Sequence, residues 1–504
     1  MTPLSFQNRF HCDLLLLVAT LVTFIGAIAL VSPFVAYNIA PDRTATGVFI
    51  ALALGASVTF AAISWRIYGI TREQDRTPAA LLTTILVVGL VLRLGQLGTV
   101  PIFEDDWFRY LWEGALTTEN ISPYTTRPAD GFSEDLFGNP RAPSTREDIN
   151  ALRDLSAQYD QYAYNVAYPY LSTIYPVGAQ AAFAAASKIA PMSLFAWRSV
   201  LIGADLVAVA LLLLLLRRVG RSGLWSGLYW LNPLVIITGF NGAHMDILLT
   251  APMVLTFLFV RAHRPFFAGL GLGLCAAIKV WPLLLAPLVL RGVIKGPLTV
   301  QTVKSEITST IARFLIGLII LAGPCLWPLF TAAVLEASTG ASGLAAYTAS
   351  WQKNALLFPL LEGALHGAVE TLGFPCNGDH IARALVAGIV SVTAIGLAIT
   401  ARAQDTMATV RASLVVIMML IFLAPAGYPW YAIWALVLLP FVPHPALVVL
   451  SATFFFYYAR FAFVAVGEPN LFSSVLIPLE FGLPLLVSVG TAILNRGRRH
   501  HALP

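Results

Sequence analysis

Residues 13–38, DLLLLVATLVTFIGAIALVSPFVAYN, carry a single charged residue, Asp13, at their start. A helix needs about 20 apolar residues to cross a hydrocarbon core of about 30 Å, and this stretch exceeds that. It also lacks a small-residue cleavage site, so it reads as a retained transmembrane span and not as a signal peptide. The pattern repeats down the chain, and spans are expected near 13–38, 46–66, 78–98, 194–216, 222–240, 244–262, 312–334, 380–401, 408–426, 428–442, 445–465 and 473–494. Composition agrees. Apolar residues make up 58% of the 504, charged residues only 11%, and the mean hydropathy is +0.77, whereas a soluble domain is about 25% charged. The fold class is an all-α polytopic membrane protein with about 12 full spans.

Between these spans, residues 265–290 (PFFAGLGLGLCAAIKVWPLLLAPLVL) are apolar but interrupted by Lys279, Pro282 and Pro287. This predicts a re-entrant pair of half-helices, entering and returning on one side, with one straight span as the alternative. Orientation follows from the short connections. With the N-terminus inside, the inner segments hold Arg9, Arg66, Arg72, Arg76, Arg217, Arg218, Arg221, Arg261, Arg264, Arg291, Lys295, Lys304, Arg313, Arg402, Arg411, Arg496, Arg498 and Arg499. The outer short connections hold very few, as the positive-inside rule requires. Both termini are then cytoplasmic and residues 99–193 lie outside. The net charge of +5 is accounted for by topology, with no basic patch that would call for nucleic acid.

No internal repeat or soluble cytoplasmic domain is apparent. The chain divides into two N-terminal helices (1–77), a membrane module (78–291) with a long outer loop (99–193), and a C-terminal region (292–504) with an outer loop at 335–379. Of Cys12, Cys275, Cys325 and Cys376, only Cys376 falls in an outer loop, so no disulfide framework is implied. Asn120-Ile-Ser122 matches the glycosylation pattern, but Pro123 follows it and the match carries no weight.

A loop as long as 99–193 is usually functional when ordered. It opens with PIFEDDWFRYLWEGALTTENISPY, in which Glu104, Asp105 and Asp106 stand together where a helix leaves the lipid. A carboxylate at that boundary is partly desolvated, which strengthens its basicity and its pull on a metal or a sugar hydroxyl. A solvated acidic loop start is the ordinary alternative. Arg109, Tyr110, Trp112 and Tyr124 interleave and follow the acids, a mix suited to gripping a sugar by aromatic faces and charged hydrogen bonds.

The run EDDWFRYLWEG with SPY after it, then STIYPVGAQAAF, YWLNPLVIITGFNGAHMD, AAIKVWPLLLAPLVL, SWQKNALLF and GYPWYAIW, resembles polyprenyl-phosphate-sugar-dependent glycosyltransferases of the GT-C fold. The likeness is nearest to bacterial mannosyltransferases, including the actinobacterial α-1,6-mannosyltransferases, and more distant to the first mannosyltransferase of GPI-anchor assembly. It runs from about residue 90 to about 440, which leaves the first two spans ahead of the shared module. The resemblance implies an extracytoplasmic site in a bacterial inner (plasma) membrane. There, Asp105 acts as general base on a glycan or glycolipid hydroxyl that attacks, with inversion, a sugar on a polyprenyl phosphate. Asp106 then orients the hydroxyl or, with Asp105, holds a divalent cation (Mg or Mn) if one is used; the two roles are exchangeable, and Glu104 is a third candidate base. Mannose as the sugar rests on the resemblance alone.

Such chemistry needs cations for the departing lipid phosphate. Lys279, Lys353, Arg460, Arg93 and Arg198 are the candidates, with snorkelling to the interface as the alternative for Arg93, Arg460 and Lys279. Asn241, His244 and Asp246 in NGAHMD are expected to bind the acceptor or steady the base, and Trp351 and Asn354 in the shared WQKN string to touch substrate. The tyrosines of 159–175, ending at Tyr175, read as a cap on the outer face, with 178–193 as an interfacial helix. The main rival is a transporter or flippase of lipid-linked sugars, which would place its ionisable residues near the midplane and show repeats. The acids here gather at the surface.

Overall fold

The computed structural model describes residues 3–37, 39–73, 77–132, 146–295, 306–335, 340, 342–372, 377–402 and 404–500. Among them every regular element is helical, a form that satisfies every backbone hydrogen-bonding group within its own segment when it crosses lipid. The only extended pairings are two isolated bridges, Ala36 with Ile102 and Lys353 with Ala426. Cys376, Arg76 and Lys304 lie outside the described residues.

Among the described residues eight helices are long and apolar enough to cross a bilayer: Cys12–Val35, Arg43–Arg72, Leu194–Arg218, Thr308–Leu335, Gly378–Thr400, Thr406–Leu423, Pro445–Ala465 and Pro469–Leu494. They match eight of the expected spans. The other four differ, each for a local reason. Ala79–Leu94 has 16 residues, about 24 Å at 1.5 Å per residue, short of the hydrocarbon thickness. The expected spans 222–240 and 244–262 form one broken path, in which the π-helix Val235–Asn241 and the stretch Met245–Arg261 are bent by 110°; counted as one span, it makes nine. Pro233 has no N–H to give, and the Asn232 side chain takes the amides of Leu234 and Val235 at 3.0 and 3.4 Å, so the helix cannot run on from Trp230. In the expected span 428–442, only Pro429–Tyr431 and Ala432–Leu436 are helical, and residues 429–440 are buried throughout. That segment is interior and faces no lipid.

Residues 265–290 fold as two short helices, Pro265–Ala276 and Trp281–Val293, with Arg264 and Arg291 near their far ends. The break reaches the segment 99–193. Ala179 N–H donates to the Ala277 carbonyl at 3.2 Å, and a Cβ on Gly178 would stand 2.6 Å from that oxygen, so only glycine permits this approach. Two helices of that segment pack together, Asp106–Thr118 on Val177–Ile189.

Deep in the bundle, Arg93 donates to Asp205 at 2.6 Å with both side chains fully buried, stacks on Trp230 at 3.5 Å, and bonds the carbonyls of Gly89 and Trp230. The Tyr229 hydroxyl donates to the other Asp205 oxygen at 2.5 Å. Arg93 is therefore neither a phosphate ligand nor a snorkelling residue. It is the internal partner of a carboxylate that sequence spacing gave no reason to pair with it.

Candidate active site

The carboxylate run is held from both sides before it reaches the cavity. Phe103 N–H donates to Val35 O at 2.9 Å, tying the run to the end of the first span. From the other side, Asn241 Oδ1 accepts from Ile102 N–H at 3.0 Å, and its Nδ2 donates to Thr99 Oγ1 and the Val100 carbonyl at 2.8 and 2.9 Å. Arg198 donates to the carbonyls of Thr99, at 2.6 Å, and Asn241. Phe103 then adopts φ 52, a left-handed conformation uncommon outside glycine, and the chain turns so that Glu104, Asp105 and Asp106 face a cavity. Asp106 begins the helix Asp106–Thr118, whose N-terminal partial positive charge favours acids there.

Each acid has its own surroundings. Glu104 is buried and stands 3.4 Å from His244 Nε2. Burial pushes its carboxyl up to about 8, against the pull of the Tyr458 hydroxyl and Arg460. Asp105 is raised above its ordinary range by burial and then by the Glu104 charge, offset in part by the neighbouring Tyr37 hydroxyl. Asp106 is also raised by burial, offset mainly by His244, and lies 3.4 Å from the Tyr110 hydroxyl and 3.6 Å from His244 Nδ1. The His244 ring stacks on Trp430 at 3.7 Å, which stacks in turn on Tyr428 at 4.5 Å.

Lys279 does not snorkel. Its Nζ donates to Asp246 Oδ1 at 2.7 Å, an oxygen that also accepts from Trp434 Nε1 at 2.6 Å. The ammonium lies over the rings of Tyr431 and Trp434 at 4.8 and 5.1 Å. The break between the two short helices thus delivers a paired cation to the site.

These groups surround one cavity of about 490 Å³, a volume within the usual range for a small-molecule site. Its polar wall holds Glu104, Asp105, Asp106, Lys279, Lys353 and Arg460, and the rest is largely aromatic, including Tyr110, Tyr175, Trp351 and Trp430. Lys353 and Arg460 are near enough for the charge of Arg460 to lower the Lys353 ammonium, after burial. The strings WQKN and GYPW, more than seventy residues apart, meet in the second bridge: Lys353 N–H donates to Pro425 O at 2.9 Å and Gly427 N–H to Lys353 O at 3.1 Å.

Other expected contacts are supports and not cavity walls. Arg109 is buried, paired with Glu113 at 3.1 Å and bonded to the carbonyls of Ala167 and Tyr168, so it clamps the tyrosine-rich cap. Trp112 is wholly buried core, and the Tyr124 hydroxyl donates to the Tyr175 carbonyl at 3.0 Å. Arg198 and Asn241 hold the strand before the acids, and Asn354 is turned away from the cavity toward Gly427 and Glu480. His244 and Asp246 act on the wall from behind. Conversely, Tyr37, Tyr347 and Tyr457 line the cavity and were not singled out from sequence, while Tyr168, one of the cap tyrosines, lines it too. The GYPWYAIW string was a signal for its own aromatics, but nothing marked Tyr37 or Tyr457.

Among the described residues no group of three His, Cys, Asp or Glu side chains is arranged to hold a metal ion. Asp105 and Asp106, the expected pair, turn to Tyr37 and to Tyr110 with His244 respectively.

The chain that builds this helical bundle and its aromatic cavity is matched over residues 174–425 by the model of Glycosyltransferase family 87. The model described as alpha-(1->6)-mannopyranosyltransferase, N-terminal domain (MptA_B family), matches residues 12–295, more than half of the sequence, and the chain belongs to this family of enzymes. That match begins within the first span, so the first two spans are part of the shared module and do not precede it. No curated protein and no solved structure matches the chain.

Proposed function

We propose that the protein is an inverting mannosyltransferase that moves one mannose from a polyprenyl-phosphate donor to a hydroxyl of a glycan or glycolipid at the extracytoplasmic face of a bacterial inner membrane. The observation that carries this reading is the cavity itself, which sets Asp105 and Asp106 in one enclosure with Lys353 and Arg460. An acceptor hydroxyl needs a base as it attacks, and the departing lipid phosphate gains negative charge that cations must meet. Asp105 takes the acceptor proton as the new C1–O bond forms and the C1–phosphate bond breaks. Asp106, fixed between Tyr110 and His244, orients that hydroxyl. Lys353 and Arg460 hold the phosphate, with Lys279 contributing from its pair with Asp246. The aromatic walls supply the flat apolar faces against which sugar rings pack, and exclude water that would hydrolyse the donor. The run of inner Arg and Lys residues supports an outward-facing cavity.

The test is transfer of radiolabelled sugar by purified protein from polyprenyl-phosphate-mannose and, separately, polyprenyl-phosphate-glucose to a membrane glycolipid extract. Transfer from the mannosyl donor alone, giving an α-linked product, is the expected result. Use of the glucosyl donor instead reassigns the sugar, and consumption of neither refutes the donor class.

A further inference from the structure

The last long helix carries an acid that the reaction does not use. Glu480 lies within Pro469–Leu494 and is completely buried, and an ionisable residue inside a span is costly enough to need an explanation. Its Oε1 accepts from Asn354 Nδ2 at 2.9 Å, and the same nitrogen donates to the Gly427 carbonyl at 2.7 Å. Asn354 follows Lys353 directly and has φ 48, a left-handed conformation that persists in a non-glycine residue only where its surroundings fix it. Lys353 is fixed through its main chain by Pro425 and Gly427, which leaves its side chain free to line the cavity. The packing beneath is close. A Cβ on Gly427 would stand 2.6 Å from the Phe481 ring and 2.7 Å from the Asn354 carbonyl oxygen, so the last helix presses directly on this turn.

We infer that Glu480 is a positioning residue for Lys353: through Asn354 it sets the left-handed turn that aims the ammonium at the donor phosphate. This rests on Lys353 as a phosphate ligand. Gln at 480 keeps a carbonyl for Asn354 Nδ2 and adds N–H groups that Asn354 Oδ1, otherwise without a partner, can accept. Leu at 480 keeps the bulk and removes the link.

The experiment measures steady-state kinetics of full-length protein with polyprenyl-phosphate-mannose varied. Glu480→Leu is expected to raise the donor KM about tenfold, the loss of roughly one charge-assisted contact, with kcat within about twofold. Glu480→Gln stays near wild type. In a Lys353→Met background Glu480→Leu adds nothing further, because both act on one contact. Where Glu480→Leu does not fold, Asn354→Ala cuts the same link from outside the span and is expected to raise the donor KM likewise. A merely structural role lowers the amount of active enzyme at unchanged KM, and that result overturns the inference. The two readings fail separately: an unchanged donor KM in Lys353→Met removes the phosphate role, whereas a raised KM there with unchanged KM in Glu480→Leu and Asn354→Ala removes only the positioning role.

Discussion

Replacing Asp105 by Asn keeps the shape of the side chain and one of its oxygens, so the run Phe103–Asp106 should stay where Val35, Asn241 and Arg198 hold it. What is lost is the proton acceptor. General-base catalysis contributes about 10²- to 10⁴-fold, or roughly 3–5 kcal/mol of barrier, and kcat should fall by that factor while donor binding, which relies on the cations, is retained. The neighbours add a second signature. The charge of Asp105 is among the influences that raise Asp106, so removing it lowers Asp106, and the acidic limb of any residual activity moves to lower pH. Radiolabel transfer across pH, with donor binding measured on the same preparations, reads both effects. Turnover of Asp105→Asn within about threefold of wild type would falsify the assignment, being far less than a lost base costs, and would move the base to Asp106 or Glu104.

Four further outcomes are expected. Because burial and the Glu104 charge raise Asp105, wild-type kcat/KM should fall as the solution is acidified through a midpoint well above the unperturbed value of about 3.9; a midpoint at or below about 4 contradicts the buried-base account. Lys353→Met and Arg460→Met should each raise the donor KM about tenfold, and equal loss in kcat alone would instead mean contact only in the transition state. Arg93→Met leaves Asp205 buried without its cation, a loss of about 3–5 kcal/mol. Thermal unfolding in detergent should register it as a lower midpoint, with donor KM unaltered in the protein that remains folded. Finally, a cysteine at the exposed position of Tyr164 should react with an impermeant reagent in intact cells and one at Arg72 only after permeabilisation; the opposite pattern inverts the topology.

Sequence made the helical membrane class and the acidic run legible because both are local: apolar length declares a span, and three adjacent carboxylates declare themselves. Partners are not local. Arg93 reads as a cation near a membrane surface until Asp205, more than a hundred residues later, is seen to neutralise it at 2.6 Å. The same holds for the carbonyls, distant in sequence, that Arg109 and Arg198 bond. Lys279 stands out in sequence because it interrupts an apolar run, but its bond to Asp246 arises from two helix breaks meeting, which no spacing encodes. The shortfall of long helices has a similar cause. Hydropathy registers 428–442 as a span because apolar residues buried in protein and apolar residues facing lipid have the same composition, although the former need not be straight or long.

The cavity draws on almost the whole length of the chain, from Tyr37 to Phe461. Neither matched segment, 12–295 nor 174–425, encloses it, since each lacks Tyr428, Trp430 and Arg460. In a growing polypeptide the acids are therefore made long before Arg460 and the later aromatic walls that complete their cavity. The enclosure stays incomplete until its closing helices are made, and a fragment that ends with the matched segments would carry the family's signature without the whole cavity.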